Sequence, residues 1–401
     1  MNKKVVVTGV GVVSSIGIGK EDFWENLALG KTGIEEIKTF DVADYPVSKG
    51  GEIKKFEFNN YFRDINKREI GKASQFAIVA TKLACEDANV DLEEDKNIGV
   101  IIGTTLADAQ SLEQIDKHWI QNSEDDVWLT NIRNYPGYNL ANNISYHLGL
   151  RGLDFVVSTA CAAGNYSISF AYDLIRQSKY DTMIVGGADP IARTNLAGFT
   201  RLIAIAPEKC QPFDKNRKGM MVGEGAGILI LEDFEHAKKR GAKIYAEVLG
   251  YGLSCDAYHM AVPGVEGITK VMKKAIKNSG IKKEDVDYIC AHGTGTFAND
   301  KAECEAIKKV FGERTKEVAV NSIKSMLGHT MGAASAIEAI SCCLSINEGI
   351  IPPTINYETH DPECDIDCVA NVARRKDIEV ALNNSFAFGG NNACLVLGRK
   401  P

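Results

Sequence analysis

Along most of the chain, short apolar runs rich in β-branched residues alternate with longer stretches of helical spacing. The runs predict strands at 5–8, 98–102, 155–158, 183–185, 227–231, 246–251, 288–291, 318–321 and 393–397. The longer stretches predict helices at 21–30, 74–89, 110–121, 138–148, 162–178, 266–280, 301–311 and 331–348. Continuous apolar strands separated by helices predict an α/β protein, with helices covering mostly parallel sheets.

A coarse repeat lies over this alternation. A Gly-punctuated strand opens each half, VVVTGVGVVSSIG at 5–17 and YAEVLGYGLS at 245–254. A glycine-flanked apolar strand closes each, GEGAGILILE and GGNNACLVLG. Two related α/β halves, 1–241 and 242–401, follow from this pattern. The charged run EHAKKRGAKIYAEV at 235–248 is expected to carry the chain between them as a solvated face.

Composition narrows the class. With 45% hydrophobic and 25% charged residues, the 401-residue chain reads as a soluble globular protein too long for one ordinary core. The net charge of -7 and the lack of a basic stripe argue against a nucleic-acid or anionic-membrane partner. No segment reaches the roughly 18 apolar residues of a transmembrane helix. The opening MNKKVVVTGVGVVSSIG reads as a first strand rather than a targeting segment, because it is dense in glycine and β-branched residues. Eleven cysteines without a CxxC pair predict neither a disulfide framework nor structural zinc, and place the chain in a reducing cytosol. Gly9-x-Gly11 after a strand is only a fragment of a dinucleotide loop, with Ser14 at the third position and no acidic residue ending a second strand.

Four segments carry residues with chemistry. In DFVVSTACAAGNYSISFAYDLIRQ, Cys161 stands where a strand becomes a helix, flanked by Ala162, Ala163 and Gly164, which allow close packing. A thiol at a helix N-terminus is pushed toward the nucleophilic thiolate, although most of the eleven thiols should be inert core residues. In DYICAHGTGTFANDKAECEAI, His292 follows a strand and precedes the hydroxyls of Thr294 and Thr296; a structural histidine fits equally well. In VAVNSIKSMLGHTMGAASAIEAISC, Lys324 and His329 follow a strand, and Glu338 lies on the next helix as the partner a buried lysine needs. In NNSFAFGGNNACLVLG, Phe386, Phe388 and Gly389–Gly390 suggest a tight turn able to aim backbone N–H groups at an anion, or a plain hairpin. One thiol, two histidines, a lysine and a glycine turn together suit acyl chemistry on a thioester.

On STACAAG, PFDKNRKGMMVGEGAGILILE, AHGTGTFANDKAE, SIKSMLGHTMGAASAIEA and NSFAFGGNNA, the chain resembles the β-ketoacyl-acyl-carrier-protein synthases of the type II condensing group over nearly its whole length. The resemblance implies a thiolase fold, with two βαβαβαββ halves stacked as a five-layer α/β/α/β/α sandwich, usually dimeric. It implies Cys161 as the acylated nucleophile and His292 and His329 as the pair promoting malonyl decarboxylation. Lys324 would order that pair, with Glu338 as its partner. The N–H groups of Cys161 and Phe388 would form the oxyanion hole, Phe388 with Phe386 the acyl gate, and Thr294 and Thr296 the hydroxyls beside the pantetheine arm. The implied partner is an acyl carrier protein bearing 4'-phosphopantetheine; the chain itself would bind no metal or cofactor.

Departures from the pattern bear on substrate. Ala162–Ala163–Gly164–Asn165 follow the cysteine where Thr or Ser is common, and Ala387 stands where glycine is usual, which predicts a stiffer gate. The segment 125–145, expected at the acyl pocket and dimer contact, is unusually polar. Two expectations follow: a ketosynthase of fatty acid or polyketide elongation, or a ketosynthase paired with a non-identical chain-length partner in a specialised polyketide or polyene pathway. A silent chain-length partner would lack Cys161, and a thiolase would need a second catalytic cysteine with a CxG setting, which Cys394 does not have.

Overall fold

The computed structural model describes residues 3–92, 94–121 and 127–401. Ten strands form one path through its main sheet: β1 (Val5–Ser14), β2 (Gly99–Gly103), β3 (Asp154–Val157), β4 (Thr182–Asp189), β5 (Gly225–Asp233), β6 (Ala246–Cys255), β7 (Tyr288–Cys290), β8 (Ala319–Asn321), β9 (Val380–Phe386) and β10 (Asn391–Gly398). Their order is β8-β7-β9-β10-β6-β1-β5-β4-β2-β3. Numbered within each run of five, both read 3-2-4-5-1. In both, the first, fifth and fourth strands pair antiparallel, and the fourth, second and third pair parallel. The runs meet where Val5–Val7 of β1 pair antiparallel with Ala246–Val248 of β6.

Helices α1 (Lys72–Ala88), α2 (Asn139–Leu148), α3 (Ala163–Arg176), α4 (Arg193–Arg201), α5 (Phe234–Lys239), α6 (Val265–Asn278), α7 (Phe297–Phe311) and α8 (Ala334–Glu348) complete the frame. Apolar side chains of α3 and α8, such as Ile168 and Ile337, share a core with strands of both runs, so the sheet folds over this central helix pair. α1 and α2 cover the outer face of the first run, and α6 and α7 that of the second. The layers are therefore α/β/α/β/α. Strands β1 and β5 are buried along their whole length, which is why they read as unbroken apolar runs.

The small residues after Cys161 serve this packing. A Cβ on Gly164 would lie 2.6 Å from the backbone nitrogen of Ala336, where α3 crosses α8. α8 is buried from Ala334 to Ile346, so its sequence carries almost no amphipathic stripe.

Some elements depart from the expectations. The charged run at 235–248 is not simply a solvated connector. It forms α5, capped by Asp233, and its Arg240 Nε donates at 2.8 Å to the buried Glu232. α4 was not foreseen, because RTNLAGFTR offers too few apolar positions for a stripe. β9, absent from the predicted strands, is a full strand paired with β7 and β10, so the segment 383–398 is a hairpin whose second strand is the predicted one at 393–397. The expected helix 331–348 opens with a 3-10 turn, Met331–Ala333, before α8. In the polar segment 125–145, residues 125 and 126 lie outside the described residues; the remainder forms a helix at Val127–Asn134 and most of α2.

Candidate active site

The chemistry-bearing residues sit where strands end and small-residue turns begin. β3 ends at Val157, and a 3-10 turn, Ala160–Ala162, presents Cys161 at the mouth of α3. Ala160 adopts φ 49°, a left-handed conformation that costs a non-glycine residue about 1 kcal/mol and turns the chain sharply at the thiol. Ser385 Oγ on β9 donates to the Cys161 carbonyl at 2.8 Å and ties this elbow to the second run of strands.

His292 follows β7, His329 follows a short helix after β8, and Phe386 ends β9. The sheet order places these strand ends side by side. One thiol sulfur and one ring nitrogen from each of His292 and His329 lie within 4.8 Å of one another. The imidazoles meet edge to face, and Phe386 packs against His292 at 5.9 Å. A cavity of about 340 Å³ opens onto Cys161, His292, His329, Thr294, Thr296, Phe386 and Phe388. Thr294 and Thr296 exchange a 2.9 Å hydrogen bond on its wall, and Thr296 also caps α7 through the N–H of Asn299. Lys324 and Glu338 form an ion pair behind the histidines, with Lys324 only 1% exposed.

The electrostatics assign protonation states. Burial pushes the Cys161 thiol up to about 11; Lys324 and the backbone N–H groups of Phe388 and Cys161 pull it back only in part. Position at a helix N-terminus favours a thiolate, but desolvation outweighs it. Burial, with the positive charge of Lys324, holds both histidines well below their ordinary value, so both are neutral. His329 Nδ1 accepts the Met331 N–H at 3.1 Å, which leaves the ring proton on Nε2, and that atom is buried with no partner in the protein. Nδ1 of His292 is likewise unpartnered. The site thus offers a neutral thiol, two neutral imidazoles, and two amide N–H groups, from Cys161 and Phe388, converging on the sulfur. One sulfur and two imidazole nitrogens are also donors a zinc ion accepts.

Further residues hold this arrangement, and the sequence did not single them out. Glu303 on α7 accepts the N–H groups of His292 at 2.9 Å and Gly293 at 2.8 Å, and burial raises its carboxyl to about 7. Asp189 at the end of β4 accepts from Thr104 Oγ1 and from the N–H groups of Thr105, Leu106 and Gly332. Asp256 accepts from Asn392 Nδ2 at 2.7 Å and the Gly264 N–H at 3.1 Å, lacing the glycine turn to the loop 256–264. Phe199 on α4 packs at 5.6 Å on Phe388, which is 36% exposed at the cavity mouth. Glu303 shares α7 with Asp300 and Glu305, so nothing in the sequence set it apart from its acidic neighbours. Ala387 is extended (φ -95°, ψ 154°), so the turn's left-handed backbone falls on Gly389 and Gly390 instead.

A doubled α/β sandwich with a cysteine elbow facing two neutral histidines defines a thiolase-fold enzyme of acyl-thioester chemistry. Residues 2–237 match the family described as beta-ketoacyl synthase, N-terminal domain, and residues 245–358 match its C-terminal domain. The chain belongs to the beta-ketoacyl synthase family. It is 40% identical over 405 residues to 3-oxoacyl-[acyl-carrier-protein] synthase 2 of Staphylococcus aureus (strain COL), covering 98% of each chain. The structure of the ishigamide ketosynthase/chain length factor superposes with a TM-score of 0.96 at 40% identity, with all of both chains covered. A type II polyketide synthase acyl-carrier protein in complex with its ketosynthase, AntDE:AntF, matches with a TM-score of 0.91 at 33% identity, again over both whole chains.

Proposed function

We propose that this chain is a β-ketoacyl-acyl-carrier-protein synthase that extends an acyl chain by decarboxylative Claisen condensation. The convergence of the Cys161 sulfur with His292 and His329 within 4.8 Å carries the reading. In the first half-reaction the Cys161 sulfur attacks the acyl thioester on the carrier. The carrier C–S bond breaks, and the thiol proton of Cys161 goes to the departing carrier thiol. The N–H groups of Cys161 and Phe388 stabilise the oxyanion.

In the second half-reaction malonyl carrier protein loses CO2, and the electron pair of the broken C–C bond moves onto the thioester oxygen. His329, through Nε2–H, and His292 stabilise that charge as neutral partners. The enolate carbon attacks the Cys161 thioester, the C–S bond breaks, and the departing Cys161 thiolate takes up one proton from solvent water, the proton that the decarboxylation of a carboxylate consumes overall. The product is a β-ketoacyl carrier protein two carbons longer. Lys324, paired with Glu338, keeps both imidazoles neutral, Thr294 and Thr296 flank the pantetheine arm, and Phe388 with Phe386 gates the acyl side.

The partner in this reading is an acyl carrier protein, and its 4'-phosphopantetheine is substrate rather than a resident cofactor. The two halves divide at 241/242, and the enzyme acts in the cytoplasm as a homodimer. Pairing with a non-identical chain-length partner is the second arrangement, supported by the likeness to the ishigamide pair. Among the described residues no helix is long and apolar enough to cross a membrane.

The test supplies acyl carrier proteins loaded with chains of graded length and unsaturation, with malonyl carrier protein, and reads products by mass. Products two carbons longer, with release of CO2, are expected. Acylation of Cys161 without any CO2 release sinks the condensation step.

A further inference from the structure

A second tie joins the cysteine elbow to β9, one layer below the Ser385 bond. Asn165 stands four residues beyond Cys161 on α3, and Asn383 stands two residues before Ser385, on the same face of β9. The two residues bond to each other in both directions. Asn383 Nδ2 donates to Asn165 Oδ1 at 2.9 Å, and Asn165 Nδ2 donates to the Asn383 carbonyl at 3.1 Å. Ser335 on α8 completes the network: its carbonyl accepts from Asn383 Nδ2 at 2.7 Å, and its Oγ accepts the Asn165 N–H at 2.9 Å. All three residues are fully buried.

α3 belongs to the first half of the chain and β9 to the second. The two N–H groups that converge on the Cys161 sulfur divide in the same way. That of Cys161 lies on the elbow before α3, and that of Phe388 lies just past β9. Their separation therefore depends on how α3 sits against β9. Ser385 Oγ ties the two at the elbow itself. One bond of that kind leaves α3 free to pivot about it; a second tie, one helical turn away, restricts the pivot. Hydrogen bonds in a buried network are strengthened by the low local dielectric and rigidify what they join. Asn383 Oδ1 is buried without a donor, which by itself destabilises the fold. The amide is thus oriented for its two donated bonds. Asn165 also closes the stretch after Cys161 in which the sequence departs from the pattern it resembles.

We propose that Asn165 and Asn383 are positioning residues, a clamp that fixes the spacing of the Cys161 and Phe388 N–H groups and so sets the geometry of the oxyanion hole. The inference rests on the condensing reading for the natural acyl donor, but the clamp acts in any acyl transfer to Cys161. An oxyanion needs both donors at about 2.7–3.1 Å. A misplacement of about 1 Å in such a site costs about a hundredfold in rate. Displacement of iodide from iodoacetamide by the same sulfur forms no oxyanion, so that reaction does not depend on the clamp.

The test compares wild type with Asn165→Ala, Asn383→Ala and the double variant. Acylation of Cys161 by octanoyl-pantetheine and by p-nitrophenyl acetate, and its alkylation by iodoacetamide, are followed by intact mass and peptide mapping. Each single variant is expected to be acylated by both donors about 10- to 100-fold more slowly at saturation, with KM for octanoyl-pantetheine little changed. Alkylation should keep the wild-type rate and pH profile. The double variant is expected to fall no further than the worse single variant, because both residues belong to one clamp. It leaves neither side-chain amide facing a missing partner, so it gives the same comparison where a single variant does not fold. Acylation and alkylation falling by the same factor would mark a general collapse of the elbow and overturn the proposal. Unchanged acylation, or additive losses in the double variant, would overturn it too. Failure of wild type with octanoyl-pantetheine alone, with the p-nitrophenyl acetate difference intact, counts against the condensing reading and not against the clamp. Failure with both acyl donors while alkylation proceeds would mean no working oxyanion hole, and would overturn the clamp.

Discussion

The rings of His292 and His329 meet edge to face, their centroids 5.4 Å apart and their planes at 82°. His329 also receives the Met331 N–H on Nδ1, so its unpartnered Nε2–H is the ring's free donor. In the proposed condensation this donor is the one that would meet the charge developing on the thioester oxygen. His329→Ala is expected to slow CO2 release from malonyl carrier protein by about 10²–10⁴-fold. Acylation of Cys161, measured by intact mass, should persist in that variant. Undiminished CO2 release would make His329 a bystander.

Cys161 rests as a thiol pushed up to about 11. The thiolate fraction, and with it the rate of alkylation by iodoacetamide, should climb about tenfold per pH unit between roughly pH 7 and 9. Peptide mapping separates Cys161 from the exposed Cys255. A rate already level by about pH 8 would show a preformed thiolate. Cys161→Ala should carry no acyl adduct and form no condensation product.

Lys324 and Glu338 are a buried pair, so removing either leaves a buried charge without a partner. Lys324→Met and Glu338→Leu are each expected to cost about 3–5 kcal/mol in urea unfolding. The double variant should recover most of that loss, because a well-packed apolar pair replaces the ions. It should remain impaired in decarboxylation, since nothing then acts on the histidines in place of Lys324. Additive losses in the double variant would contradict the pairing.

Glu303 binds its proton more tightly folded than unfolded, with its carboxyl raised from 4.5 to about 7. That contribution is fully present below about pH 4.5 and is lost as pH rises through about 7. The destabilisation caused by Glu303→Ala should therefore be larger at pH 5 than at pH 8, by about 2 kcal/mol. Loss of its two backbone contacts to His292 and Gly293 should also lower kcat more than it raises KM. A pH-independent destabilisation would refute the buried, proton-binding carboxyl.

The sulfur and imidazole nitrogens within 4.8 Å can capture a soft divalent ion. Micromolar Zn²⁺ is expected to inhibit Cys161 acylation reversibly, and EDTA should restore it. His292→Ala should weaken that inhibition; equal inhibition of the variant would place the zinc elsewhere.

Much of this molecule was legible in its residues. Alternating apolar runs and helical stretches gave the α/β class, and Gly-punctuated strands gave the repeat that the matching 3-2-4-5-1 strand orders display. Cys161, His292, Lys324 and His329 were visible as polar or reactive side chains stranded between apolar strands and small-residue helices. What a linear chain could not carry is distance. Glu303 looked like one acid among many on α7 until folding set it under the backbone of His292. Ile203 looked like an ordinary apolar residue until the helix ended beneath it and turned it outward, left-handed, at the cavity mouth. The protonation state of Cys161 also changed sign between the two levels. Position at a helix terminus is local and favours the thiolate, whereas desolvation depends on every element packed around the sulfur and outweighs it. Residue type and local order thus determined which groups could react; their separation and their dielectric surroundings were decided only by the tertiary structure, because both sum over residues far apart in the chain.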